Sequence, residues 1–63
     1  MPKTVEVEVE IVHRTAGAVL VNDGSREVWL PRDAIEEDVD EFRPGETVTL
    51  TMSERLATEK GLL

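Results

Sequence analysis

The chain contains no cysteine and no tyrosine, and only one tryptophan, one phenylalanine and one histidine. Without cysteine, no disulfide or thiolate-held metal can reinforce the fold. A single histidine and no thiol argue against a transition-metal site, so no metal and no cofactor is expected. His13 reads as a polar residue at the end of a strand. No apolar run approaches the roughly 18 residues that cross a bilayer. The opening residues alternate and lack an apolar signal core, so neither a membrane span nor a signal peptide is expected, and a cytoplasmic location is the default.

Sixty-three residues allow one domain. A chain of this size buries only about 60% of the surface its unfolded form exposes, so its core is small. The formal charge is −7, from 14 acids against 7 bases. Such a surface keeps a small domain soluble. It also repels phosphate, which disfavours a general nucleic-acid binder while leaving room for a local basic patch.

Between residues 4 and 12, Val5, Val7, Val9 and Ile11 alternate with Glu6, Glu8 and Glu10. Period two with β-branched residues marks a half-buried antiparallel strand. His13 to Gly17 break the pattern. A second strand is expected over 18–21 and a third over 26–30, joined by Asn22-Asp23-Gly24-Ser25, residue types that suit tight turns. Pro31 lacks an N–H and closes the third strand. Residues 32–37 suit one helical turn with Ile35 tucked inward. Residues 38–43 form an acidic loop that Phe42 is expected to anchor. Arg43-Pro44-Gly45-Glu46 has proline and glycine where a type II turn needs them. The fourth strand follows over 47–52, with Val48, Leu50 and Met52 inward. Ser53 suits the N-cap of a short terminal helix, and Gly61 suits its C-terminal stop, folding Leu62 back towards Leu56.

The fold class is therefore mainly β. A small curled antiparallel sheet, or a partly open SH3- or OB-like barrel of about four strands, is expected, with one helical turn before the last strand and a short C-terminal helix. Trp29 is out of phase with Val28 and Leu30. It has two readings. In the favoured one it is core, lying beneath the terminal helix against Leu56, Leu62 or Leu63. In the other it is an exposed anchor.

From residue 16 onward the chain resembles small proteins encoded by bacteria and their phages. The shared pattern reads A-x-L-V, a turn, W-L-P-K/R, an acidic insert, G-D/E-x-V-x-L and L-A-x-x-K-G-L. Here it falls on Ala18, Leu20, Val21, Trp29, Leu30, Pro31, Arg32, Ile35, Gly45, Glu46, Val48, Leu50, Leu56, Ala57, Lys60, Gly61 and Leu62. The resemblance implies a phage or mobile-element context and brings no activity with it. A second resemblance is to the S1-like OB barrels, of the bacterial translation initiation factor 1 type. It rests on Leu30-Pro31-Arg32-Asp33-Ala34-Ile35 and on Arg43-Pro44-Gly45-Glu46-Thr47-Val48. It implies topology rather than function. The chain departs from that family in placing a helix after Met52 and in the acidic outer face of its first strand.

Two groups of residues are candidates for a partner site. Trp29 with Arg26, Arg32 and Arg43 combines an aromatic with cations, as single-strand binders and protein hot spots both do. Glu36, Glu37, Asp38, Asp40 and Glu41 concentrate acid in one segment that suits a basic partner. Weak binding of a hard cation there is conceivable, although the spacing is not that of an EF-hand. Ser25 and Ser53 have structural roles in a turn and a cap, there is no glycine-rich phosphate loop, and no catalytic residue is assigned. The expected function is a non-enzymatic module that binds a protein. The alternatives are a nucleic-acid-associated accessory protein, and an acidic inhibitor that occupies the nucleic-acid-binding surface of another protein.

Overall fold

The computed structural model describes residues 3–63. Four antiparallel strands form one sheet: β1 (Thr4–Arg14), β2 (Ala18–Asn22), β3 (Glu27–Pro31) and β4 (Thr47–Ser53). Their order across the sheet is β3-β2-β1-β4. Two 3₁₀ turns, Arg32–Ala34 and Val39–Glu41, lie between β3 and β4, and helix α1 (Glu54–Glu59) follows β4. The sheet is open, so the barrel does not close.

The curl originates in β1. Its residues Thr4 to Glu10 pair with β4, and its residues Glu10 to Arg14 pair with β2. The two ladders overlap only at Glu10, so one long strand carries neighbours on opposite edges at opposite ends. Val7, Val9 and Ile11 of β1 face inward with Val19, Val21, Leu30, Leu50 and Met52. Ile35, Val39 and Ala57 seal the same face. Each fully buried aliphatic side chain contributes about 1.5–3 kcal/mol, so this cluster carries most of the stability.

The first strand outlasts the valine–glutamate alternation. Ile11 pairs with Val21 but His13 pairs with Leu20, which leaves Val12 as the extra residue of a β-bulge. The bulge reverses the phase of everything after it. Arg14 then falls opposite inward-facing Val19, and His13 falls on the outer face.

The capping signals form as the sequence implies. The Ser53 hydroxyl accepts from the Leu56 N–H at 3.1 Å. Gly61 adopts a φ of 72°, its N–H donates to Thr58, and the Leu62 N–H donates to Ala57 at 2.8 Å. That pair of bonds is a Schellman stop. Ile35 is buried and bridges to Met52 on the outer edge of β4.

Val48 faces inward as expected and is half-buried. Two expectations need correction. Val39, not Phe42, is the buried anchor of the acidic loop; Phe42 packs only partly against the core. Trp29 is not core: it is 46% exposed. The physical reason lies in the path of the chain at Ser53. The cap turns α1 over the aliphatic face, where Ala57 is buried and Leu56 and Leu62 pack on the same cluster. The face that required cover was the one carrying the valines, and the helix covers that one.

Candidate functional site

The outer face of the sheet divides into two strips, and strand register fixes both. His13 pairs with Leu20 and Leu20 pairs with Trp29, so the three form one row across β1, β2 and β3. The His13 and Trp29 rings meet edge to face, with centroids 6.4 Å apart and planes at 85°. Leu20 between them is half-buried. Aromatic pairs in this geometry add about 0.5–1.5 kcal/mol beyond their burial, so His13 holds Trp29 in place on the surface.

Beside this row lies an acidic strip. Glu6, Glu8 and Glu10 project from β1, opposite Thr51, Thr49 and Thr47 of β4. Glu10 also pairs with Asn22, which pairs with Glu27 on β3. All four glutamates are exposed. An open cleft of about 210 Å³ lies at the end of the strip, lined by Glu8, Glu10, Asn22, Asp23, Gly24 and Thr47 among others. The Asp23 carboxylate accepts from the N–H groups of Ser25 and Arg26, which holds its pKa below the ordinary carboxylate value.

Two of the three arginines expected beside Trp29 are turned to other work. Arg26 donates to the Lys60 carbonyl at 2.9 Å, tying the β2–β3 hairpin to the end of α1. Arg32 pairs with the Asp40 carboxylate, and that hydrogen bond is the main reason the Asp40 pKa is lowered. Arg43 sits in the turn before β4, where its backbone N–H donates to Glu46 Oε1 at 3.0 Å. The aromatic–arginine group is therefore dispersed, and of its members only Trp29 lies on the outer row.

The acidic segment is likewise divided. Asp38 caps the turn Val39–Glu41 by accepting from the Asp40 N–H. Glu37 accepts from the Thr51 N–H at 2.6 Å and from the Thr51 hydroxyl at 2.7 Å. Partial burial pushes the Glu37 pKa up, but the bonds from Thr51 outweigh it and the net shift is downward. Glu36 and Glu41 are left exposed to solvent.

Arg14 is the functional-looking residue that sequence reasoning passed over. Its guanidinium donates to the carbonyls of Val39, Asp40 and Phe42, so it organises the whole acidic loop. Only the bulge at Val12 brings it to that face, and nothing in the alternation announces the bulge. Among the described residues no group of histidine and carboxylate side chains is arranged to hold a metal ion, and no helix is long and apolar enough to cross a membrane.

No family model matches the chain, and neither the curated proteins nor the solved structures compared with it give a match.

Proposed function

We propose that this protein is a non-enzymatic interaction module that docks a protein partner on the outer face of its sheet. Trp29 is the anchor, and the Glu6–Glu8–Glu10 strip with Glu27 steers and orients a partner of opposite charge. The carrying observation is the 46% exposure of the largest side chain in the molecule, at the centre of a strand and braced by His13. A single exposed apolar side chain is ordinary on a protein surface; what singles out Trp29 is its fixed row with Leu20 and His13 and the enrichment of tryptophan at interface hot spots. The acidic strip adds on-rate and selectivity more than affinity.

The same arrangement supports a protein over a nucleic acid. Stacking on Trp29 would bring phosphates towards Glu10 and Glu27, while Arg26 and Arg32 are engaged elsewhere. It also supports the absence of catalysis. A carboxylate acid–base pair calls for two groups whose environments pull their pKa values apart in a desolvated cleft. Glu37, Asp38 and Asp40 instead spend their oxygens on a strand, a cap and an arginine.

The test is a comparison of retained proteins on immobilised wild type, Trp29→Ala and Leu63→Ala. Leu63 is exposed but lies outside the row. A protein retained by wild type and Leu63→Ala and lost on Trp29→Ala supports the proposal. A retained set indifferent to Trp29→Ala overturns it.

A further inference from the structure

Hydrogen-bond parity decides which backbone groups each edge of the sheet turns outward. In an antiparallel pair, residues that exchange backbone bonds alternate with residues that do not. The Asp23 N–H donates to Arg26, and the Arg32 N–H donates to Gly17. With β2 and β3 paired as Leu20–Trp29 and Val21–Val28, these two bonds make Val28 and Leu30 the residues that bond β2. Glu27, Trp29 and Pro31 therefore aim their backbone groups away from the sheet. Among the described residues no turn, loop or side-chain hydrogen bond engages the N–H or C=O of Glu27 or Trp29.

On β4 the same reasoning turns the Thr51 N–H and C=O outward, since the Ile11 N–H donates to Glu46 and the Glu54 N–H donates to Lys3. There the chain supplies partners for Thr51 itself, while the same parity turns Thr47 and Thr49 outward. The Glu36 N–H donates to the Thr51 carbonyl at 3.0 Å, and the Glu37 carboxylate accepts from the Thr51 N–H. Among the described residues no segment does the equivalent for β3.

We infer that the β3 edge receives an extended segment of the partner as a fifth strand, one that alternates basic and apolar residues. The inference rests on the proposed docking role of the outer face and specifies how the partner sits there. The alternation is dictated by β3. On the outer side a new strand would lie beside Glu27 and Trp29. A lysine or arginine there meets a carboxylate and an indole face, two environments that attract a cation. On the inner side it would lie beside half-buried Val28 and buried Leu30, which call for apolar residues. Among the described residues Glu27 forms no ion pair; Arg26 and Arg32, the cations at either end of β3, bond the Lys60 carbonyl and the Asp40 carboxylate. Main-chain bonds to the edge supply affinity, and the alternating side chains supply selectivity. Pro31, which has no N–H, ends the docking ladder as it ends the strand.

The experiment measures amide hydrogen exchange by NMR on the intact protein, with a short alternating lysine–valine peptide, capped at both ends, as the probe. Exchange at the Glu27 and Trp29 amides is expected to slow about tenfold or more on saturation, with Thr49 on the opposite edge unchanged. A glutamate–valine peptide should give no slowing. Lysine–valine peptides N-methylated at alternate nitrogens, in either phase, should lose it in one phase. Slowing by the glutamate–valine peptide, retention in both methylated phases, or no slowing at all overturns the inference. Shifts of the Trp29 indole and Leu20 methyl signals without amide protection would leave outer-face docking standing and remove only the strand addition. Absence of both, together with indifference to Trp29→Ala, would remove both. Protection that grows with protein concentration and needs no peptide would overturn the basic partner in favour of a second copy of the chain.

Discussion

Glu37 closes the edge of β4 at Thr51 with a side chain: both of its carboxylate oxygens accept from Thr51, one from the backbone N–H and one from the hydroxyl. A carboxylate thus stands where a neighbouring strand would otherwise be. Replacing it leaves the Thr51 N–H without a partner at a partly buried site. Glu37→Ala should lower stability by about 1–3 kcal/mol, the range for a group that loses charged hydrogen bonding. Glu37→Gln, which keeps one acceptor, should cost less. Urea midpoints for the three proteins would check the order.

The same contact gives a pH dependence. The folded-state pKa of Glu37 lies below its ordinary value of 4.5. Such a group contributes stability that is present above the unfolded pKa and lost as pH falls through the folded one. Asp40 and Asp23 are shifted in the same direction, so the wild type should weaken as pH drops below the ordinary carboxylate range. Glu37→Gln should show a shallower loss across that window. Parallel curves of thermal midpoint against pH for both proteins would show that Thr51 does not stabilise the charged form.

Arg14 holds the loop that follows β3. Its removal leaves the carbonyls of Val39, Asp40 and Phe42 without their shared donor. Arg14→Met keeps the aliphatic stem and should still cost about 1–3 kcal/mol. The loss should appear first as faster exchange and faster proteolysis between residues 38 and 43. An unchanged loop would mean that Val39 alone anchors it.

Val9 is almost wholly buried, whereas Val5 and Val48 are only half-buried. Burying an unpaired carboxylate costs several kcal/mol, a large part of the stability of a small domain. Val9→Asp should therefore unfold the protein, with Val5→Asp and Val48→Asp markedly milder. Far-ultraviolet circular dichroism and urea titration would rank them. Deleting residues 53–63 should expose the core that Leu56, Ala57 and Leu62 cover, visible as oligomerisation in sedimentation. A monomer with an unchanged thermal midpoint would show that α1 does not act as a cover.

Much of this architecture is legible in the sequence because it rests on local rules. Alternation from Val5 to Ile11 fixes which face of β1 is buried. Ser53 and Gly61 mark the helix ends through their own backbone chemistry, and Pro44-Gly45 marks the turn, where Gly45 has a φ of 91° and the Glu46 N–H reaches Arg43. What stayed hidden depends on contacts distant in sequence. The bulge at Val12 arises from pairing with β2, and it alone brings Arg14 to the loop and His13 to Trp29. The roles of Glu37 and Asp40 depend on where β4 and Arg32 lie. Phase showed that Trp29 opposes Val28 and Leu30, but phase does not say which face the helix will cover.

The placement of Trp29 is the point on which the functional account turns. It is the only tryptophan, so its fluorescence reports one site. Acrylamide quenching of the isolated protein measures that placement most directly. Red-shifted emission that is readily quenched is expected. Blue-shifted emission resistant to acrylamide would place Trp29 in the core and contradict the docking face.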